Sequence, residues 1–562
     1  MSFSTAACQK CEVALINNRE FDYIVVGAGS AGCVVAARLS ENADARVLVL
    51  EAGGKDTDPL IRIPLGLGKM HAKRKHDWGF DAESEDSLGG RKLEALRGKV
   101  LGGSSAINVM AYVRGHQSDY DRWAKKGALG WSYADVLPYL KRCESWEGGE
   151  DLWRGGSGPI RTQSTQYQDP LVVDWKKACI QAGYPITSDY NGEYPEGFGC
   201  AQSTISNGQR CSAAYAYLHP ASIRSNLTIE TNAYARRILM RGNRAVGIEY
   251  QKNGRTITAR AVKEVILSGG VFNSPQLLML SGIGPADHLR AVGINPLIDS
   301  PGVGKNLQDH LAAMVLYARK GSSPFQDLMR FDRIALAMVR AYLFNSGPAT
   351  SLPVSLYGHV RSRPELLVPD LQFLFRATSP KAGMWFPGVA RKFEESFGMR
   401  PVMLHPESTG EVLLRSNDPN AKPRIIQNFL SSPNDLRVLR QGVKIIRDLM
   451  GQSALNGWRG AELTPGAEVK SDSQIDDWIR KTATTVHHPS CSCAMGQEDN
   501  KPLDTELRVK GVEGLRVADA SAMPDLVSGN INACVLMIGE KAADHIKGVG
   551  MLRPSDAVQV RS

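Results

Sequence analysis

Three glycines, in Gly27-Ala28-Gly29-Ser30-Ala31-Gly32, have the spacing that lets a backbone turn tightly and come close to a pyrophosphate. Glu51 follows 19 residues after Gly32, where an acid can accept hydrogen bonds from ribose hydroxyls. An acid suits a ribose without a 2′-phosphate, so these residues fit FAD or NAD. Ala52-Gly53-Gly54, directly after Glu51, leans toward FAD. His is the side chain whose charge changes near neutral pH, but the eleven histidines are mostly isolated and residue type alone marks none of them as catalytic. Pro489 restricts His488 to extended backbone. Cysteine offers less. Cys8 and Cys11 form one CxxC with no second pair to complete four zinc ligands, and Cys491 and Cys493 read as free thiols. No metal site is expected, and the compartment is expected to be reducing.

The elements that must position these residues are legible around them. Residues 21–26 (FDYIVV) are an apolar run that ends at Gly27, as a buried parallel strand does. CVVAARLSE follows as a helix with Val35 and Leu39 on one face, then the strand VLVL ending at Glu51. Strand, glycine turn, helix, strand and acid in that order are far more specific than the glycines alone. Further on, 369–377 (PDLQFLFRA) and 409–415 (TGEVLLR) alternate as sheet strands do. Residues 325–344 place Leu328, Phe331, Ala335, Met338 and Tyr342 at helical spacing, with Arg330, Arg333 and Arg340 outside that stripe. This reads as a cover helix on the core rather than a helix on a membrane surface.

Composition sets the outer bounds. A chain of 562 residues, 43% hydrophobic and 22% charged, is ordinary globular material of two to four folding units, which excludes disorder and coiled coil. No apolar run reaches the ~18 residues of a membrane span. The net charge of +9 is scattered apart from 69–76 (KMHAKRKH), so no nucleic-acid partner is expected. The first twenty residues show no secretory signal, and a cytoplasmic location is expected.

Residues 98–121 (GKVLGGSSAINVMAYVRGHQSDYD) resemble the first signature of the glucose–methanol–choline (GMC) oxidoreductases, and 270–284 (GVFNSPQLLMLSGIG) resemble the second. So do GQRCSAAYAYL (208–218), PGVGKNLQDH (301–310), HPESTGEVLL (405–414), TVHHPSCSCAMG (485–496) and the segment 514–546, in the family's order. The choline-dehydrogenase-like branch is the nearest in flavour. The resemblance implies an α/β fold: a Rossmann-like FAD-binding domain of GMC type with an α+β substrate domain built on an antiparallel sheet. The expected organisation is a tail at 1–20 and a first FAD-binding part at 21–310, with substrate-domain excursions around 150–200. A substrate domain at 311–482, a C-terminal FAD-binding part at 483–550 and a tail at 551–562 complete it.

The same resemblance assigns the site. FAD runs along Gly27, Gly29, Ser30, Ala31, Gly32, Glu51 and Ala52, then Gly102, Gly103, Ser104, Asn108 and Val109. Asp519 and Ala520 lie on the ribityl–phosphate side, and Asn532 meets the ring edge or caps the last helix. Ile107 stands where some members tether the flavin through His, and Ile has no nucleophile, so the FAD is expected to be non-covalent. His488 falls at the family's catalytic histidine and Asn530 at its partner position. The implied reaction is oxidation of a primary alcohol to the aldehyde, hydride passing to flavin N5. An alcohol with pKa near ~16 needs a base, His488, and an oriented oxygen, the task of Asn530. Electrons would go to a quinone-like acceptor, with oxygen as the alternative, and peripheral membrane contact, at the inner membrane, stays open. A lyase or photodecarboxylase on the same fold is the competing chemistry.

Overall fold

The computed structural model describes residues 19–557, so Cys8 and Cys11 lie outside the described residues. Its first sheet is built on β1 (Arg19–Val26), which leads through Gly27 into α1 (Ser30–Leu39) and returns as β2 (Val47–Leu50). β1 pairs in parallel with β2 on one side and with β3 (Arg255–Leu267) on the other. Being covered on both faces, β2 is buried along its whole length, which is why it is uniformly apolar. The strand Leu227–Glu230 extends the sheet beyond β2. β3 is shared: its first half pairs with an antiparallel hairpin, Ala233–Arg241 and Arg244–Lys252. Its last residues, Val265–Leu267, pair in parallel with β4 (Leu515–Val517), 248 residues away between Leu267 and Leu515.

The register decides where ligands can sit. Val26 is level with Leu50 and with Leu267, and Leu267 is level with Val517. The residues that follow, Gly27, Glu51, Ser268 and Ala518, therefore emerge together at the carboxyl edge of the sheet, where open α/β sheets bind ligands. α2 (Gly270–Leu280) and α3 (Asn532–Lys547) start at that same edge. α3 is held against α1 by a buried carboxylate, Glu540, which accepts two bonds from Arg38 at 2.9 Å and one from the Tyr217 hydroxyl at 2.9 Å. Arg142 completes the cluster at 2.9 Å.

The second sheet is antiparallel throughout, in the order Arg459–Thr464, Val315–Arg319, Ser396–Met403, Leu371–Arg376, Val354–Val360, Gly197–Cys200. An amphipathic helix, Pro433–Gly451, lays Leu439, Val443, Ile446 and Leu449 on it, and Trp175 stacks on Phe375 at 4.3 Å. Phe373 and Phe375 are spent on this core. The strand Leu371–Arg376 joins the sheet as its alternation predicts, whereas Glu411–Leu413 pairs only with Arg424–Ile426. Val412 is drawn off by packing with Val271, Phe272 and Leu307.

The 325–344 segment also differs from its sequence reading. It forms Pro324–Leu328 and then the helix Phe331–Phe344, whose buried residues are Ile334, Ala337 and Ala341. The expected stripe through Phe331, Ala335 and Tyr342 lies largely in solvent, because the short side chains of Ala337 and Ala341 are what close approach to Ile63 and Ala349 requires. Of the C-terminal tail, Leu552 and Ser555 bond back to the helix Tyr133–Cys143 through Tyr139 and Ala134.

The Glu540 cluster gives a direct test of how α3 is held. Glu540→Ala would take the buried carboxylate from two arginines, each about a quarter exposed, and leave Arg38 with Glu41 and Arg142 with Asp544. The expected loss is about 3 kcal/mol, the low end for a broken buried pair, read from denaturant unfolding. Glu540→Gln, which keeps one acceptor oxygen and so two of the four contacts, should lose less; an unchanged unfolding midpoint in both would contradict the clamp.

Candidate active site

The turn after β1 is fixed by close packing. Gly27 has φ +99°, and a Cβ on Gly32 would sit 1.9 Å from the Gly27 carbonyl oxygen. Only glycine permits that approach of helix to turn. α1 then starts at Gly29 with no side-chain cap and no acid in its first turn, so its leading N–H groups are free to meet an anion. Glu51 closes the loop from β2. Its carboxylate accepts from Ala28 N at 2.9 Å and Gly53 N at 2.7 Å, and burial pushes its pKa up to about 7. Asp519 closes it from β4, accepting from Gly270 N at 2.9 Å, the Ser274 hydroxyl at 2.6 Å and Ser521 N at 2.8 Å. Ser30 donates to Asn532 Oδ1 at 2.7 Å, joining the starts of α1 and α3 across 502 residues.

These groups line one long cavity. Its wall includes Gly27, Gly29, Ser30, Ala31, Glu51, Ala52, Gly103, Ser104, Asn108, Val109, Asp519, Ala520, Asn530, Asn532 and His488. Two expected residues are not on that wall. Gly32 packs on Gly27, and Gly102 donates its N–H to the Ala28 carbonyl at 2.8 Å, so both shape the loops from behind. Asn532 makes no side-chain cap on its helix. Cys534 is fully buried in the core beside Tyr120, away from the wall. Trp385 donates to the Gln326 carbonyl and Phe386 is on the surface, so neither reaches the cavity.

At the far end, two extended segments run antiparallel and bring histidines together. Leu311 pairs with Thr485, and Gln308 exchanges backbone bonds with Ser490 at 2.9 and 3.2 Å. Between these anchors His487 takes φ +64°, a left-handed kink that a non-glycine residue adopts only when its surroundings impose it. The buried Asp309 carboxylate imposes it, accepting from His488 N at 2.8 Å and from the Thr485 hydroxyl at 2.6 Å. Burial lifts Asp309 to about 6.

His488 is then held from both ring nitrogens. Its Nδ1 lies 3.0 Å from His310 Nδ1, and its Nε2 lies 2.9 Å from Asn530 Nδ2. His310 Nε2 is 3.0 Å from the Leu404 carbonyl oxygen. A carbonyl only accepts, so His310 carries its proton on Nε2 and a lone pair on Nδ1. Burial lowers the pKa of both histidines, His310 to about 3 and His488 well below 6.5 with His310 and Arg97 adding to it, so both rings are neutral. His488 must therefore donate from Nδ1, and its Nε2 holds the lone pair that faces Asn530 and the cavity. The Asn530 oxygen, Oδ1, is buried without a partner, a place for a donor from a ligand.

Several wall residues had no sequence signal of their own. Arg97 lines the cavity and donates to the His487 carbonyl at 2.6 Å; burial lowers it to about 10. His71, read in sequence only as part of a basic run, lies on the wall and meets the Ile107 carbonyl at 2.6 Å. His310 sits inside a segment read as a family match, and only the fold reveals that it touches His488. Among the described residues no group of His, Cys, Asp and Glu could hold a metal ion.

An uncapped helix start, two carboxylates at strand ends and an unpartnered amide oxygen at the far end are a donor set that fits FAD along this cavity. The comparisons agree. The family model for GMC oxidoreductases matches residues 21–312, and its C-terminal counterpart matches 406–539. The chain is 43% identical over 534 residues to an oxygen-dependent choline dehydrogenase of Brucella suis, covering 94% of this chain and 96% of that one. It is 42% identical over 529 residues to its namesake in Sinorhizobium medicae, 94% and 95% covered. Among solved structures it is similar to pyridoxine 4-oxidase from Mesorbium loti, at 31% identity and TM-score 0.84, covering 94% and 100%. Formate oxidase aligns with TM-score 0.86 at 28% identity, covering 95% and 99%. The chain belongs to the GMC oxidoreductase family and is an FAD-dependent oxidoreductase of alcohols.

Proposed function

We propose that this protein oxidises a small primary alcohol without a cationic group to its aldehyde, with His488 as base and Asn530 orienting the substrate oxygen. The observation that carries the reading is the bond chain from Leu404 through His310 to His488, which leaves a lone pair on Nε2 at the cavity. FAD, when bound, supplies the acceptor for the hydrogen leaving the alcohol carbon. Gly27, Gly29, Ser30 and Glu51 would hold its dinucleotide half; Gly103, Ser104, Asn108, Asp519 and Asn532 would hold the rest, without a covalent link. The alcohol hydroxyl takes the place of the Asn530 N–H on the single Nε2 lone pair of His488 and donates there, and the Asn530 N–H so released donates to the alcohol oxygen. As the proton moves to Nε2, His488 becomes a cation that is paired through Nδ1–H with His310. Asn530 does not titrate, so it stabilises the developing oxyanion at any pH.

The substrate class follows from what surrounds His488. Among the wall residues only Glu51 and Asp519 are carboxylates, and both are engaged with backbone N–H groups at the strand ends. The aromatic side chains on the wall are Trp78, Tyr234 and Phe272, with Tyr234 directly after Ala233, which bonds to Glu51. Next to His488 stand His487, Arg97 and His71 instead. A quaternary ammonium group is held by aromatic faces or a carboxylate, whereas Arg97 beside His488 is a cation that would repel it.

The acceptor is read as quinone-like. Oxygen is the competing acceptor, favoured by the name of the relatives, oxygen-dependent choline dehydrogenase, and by the similar pyridoxine 4-oxidase.

Anaerobic mixing with neutral alcohols should bleach the flavin, and the panel repeated with oxygen and with a soluble quinone separates the acceptors. His488→Ala should slow that bleaching by roughly 10²–10⁴-fold, the usual share of a general base, with FAD still bound; near-wild-type rates would remove it from the role. Neutral primary alcohols should exceed choline in kcat/KM by at least about tenfold, the least that a desolvated, unpaired cation costs. A preference for choline would contradict the substrate class.

A further inference from the structure

The helix Phe331–Phe344 is covered on one face only. Ile334, Ala337 and Ala341 are buried, while Phe331, Leu336, Val339, Tyr342, Leu343 and Phe344 are each 48% to 70% exposed. At 3.6 residues per turn, Leu336, Val339 and Leu343 point directly away from the buried three. Soluble surfaces rarely gather so many large apolar side chains on one short element. The apolar surface continues onto the neighbouring loop, where Met384, Phe386 and Val389 are exposed. Backbone bonds from Phe331 N to Trp385 O at 2.9 Å and from Trp385 N to Met329 O at 3.2 Å fix that loop against the helix.

Charge says what this surface faces. Arg333 and Arg340 flank the apolar strip on the helix, Lys381 and Arg391 flank it on the loop, and Lys69 and Lys73 follow on the segment beneath. None of these six has a carboxylate partner among the described residues. The acid on the strip's side of the helix, Asp332, is neutralised by two bonds from Arg330 at 2.7 and 2.6 Å. The segment beneath is tied to the helix by Arg62, which donates to Asn345 Oδ1 at 2.8 Å, and by Ile63 packed on Ala337 and Ala341. That segment also carries His71 into the cavity wall. A second copy of the chain would present the same unpaired cations and repel them.

We propose that this face is a docking surface for an anionic lipid bilayer, with the helix Phe331–Phe344 lying in the headgroup region. Its length is about 21 Å at ~1.5 Å per residue, short of the ~30 Å hydrocarbon core, and no helix of the described residues is long and apolar enough to cross a membrane. Apolar side chains outward with cations at the margins is the composition of an interfacial helix. Docked this way, the protein holds the His71 side of its cavity toward the bilayer, where lipid-soluble alcohols and quinones concentrate. The inference concerns lipid binding alone and does not rest on the alcohol reading.

The test is flotation of the full, FAD-loaded chain with vesicles of phosphatidylcholine, with and without 30% phosphatidylglycerol (roughly the anionic content at which a few cations act together). Binding should need the anionic lipid and weaken with salt. Leu336→Ser/Leu343→Ser/Phe344→Ser and, separately, Arg333→Glu/Arg340→Glu should each lower vesicle binding at least about tenfold. Flavin reduction by alcohol, and its reoxidation by a soluble acceptor, should stay unchanged. The charge-reversal pair touches no core position, so it stands if the triple variant folds poorly. Wild-type protein that stays with the soluble fraction at low salt would overturn the proposal, as would variants that float like wild type. So would sedimentation showing a wild-type dimer that the charge-reversal or serine variants convert to monomer.

Discussion

A single carbonyl sets the chemistry of this site. Leu404 O can only accept, so His310 must present a lone pair to His488, and His488 must present one to the cavity. Everything that fixes the three backbones in place serves that relation. Leu404 follows the strand Ser396–Met403, whose Val402 pairs with Ala312, two residues past His310. Thr484–Thr485 pairs with Leu311–Ala312 and carries His488 to the same point. Asp309 then takes up the His488 N–H that the kink at His487 frees. His488 is thus aimed by a sheet edge rather than by a flexible loop, which keeps donor and acceptor roles fixed before any ligand arrives.

The other half of the site is held by a different constraint. Level strand ends at Val26, Leu50, Leu267 and Val517 put the cofactor-facing residues on one edge. Glu540 locks α3 to α1, so that Asn530 and Asn532, just before and at the start of α3, keep their distance from the Gly27–Ser30 turn. The substrate sheet and the nucleotide sheet therefore meet at His488 and Asn530, one residue from each side of the junction, in a 2.9 Å contact.

The nucleotide half was legible in the sequence because its signals are local: a strand, a glycine turn, a helix and an acid within about thirty residues. His488 and Asn530 were legible only through their resemblance to a family, since nothing in HHPSCSCAMG or SGNINAC states that the two touch. His310, Arg97 and His71 were not legible as site residues, because what places them is contact with segments 178, 390 and 36 residues away. The Phe331–Phe344 stripe was misread for a physical reason: periodicity shows that a helix has faces, but Ile334 with two alanines, not the aromatic side chains, made the buried one. Gly32 and Gly102 show the reverse case, where the right motif marks residues that support the cavity from behind instead of lining it.

The central claim is a tautomer, and tautomers are directly observable. In protein labelled with ¹⁵N only at histidine, long-range proton–nitrogen spectra distinguish a ring protonated at Nδ1 from one protonated at Nε2, and His488→Gln assigns the signals. The account predicts that His488 carries its proton on Nδ1 and that His310 carries its proton on Nε2. A His488 ring protonated at Nε2 in the resting enzyme would contradict it, since no lone pair would then face the alcohol.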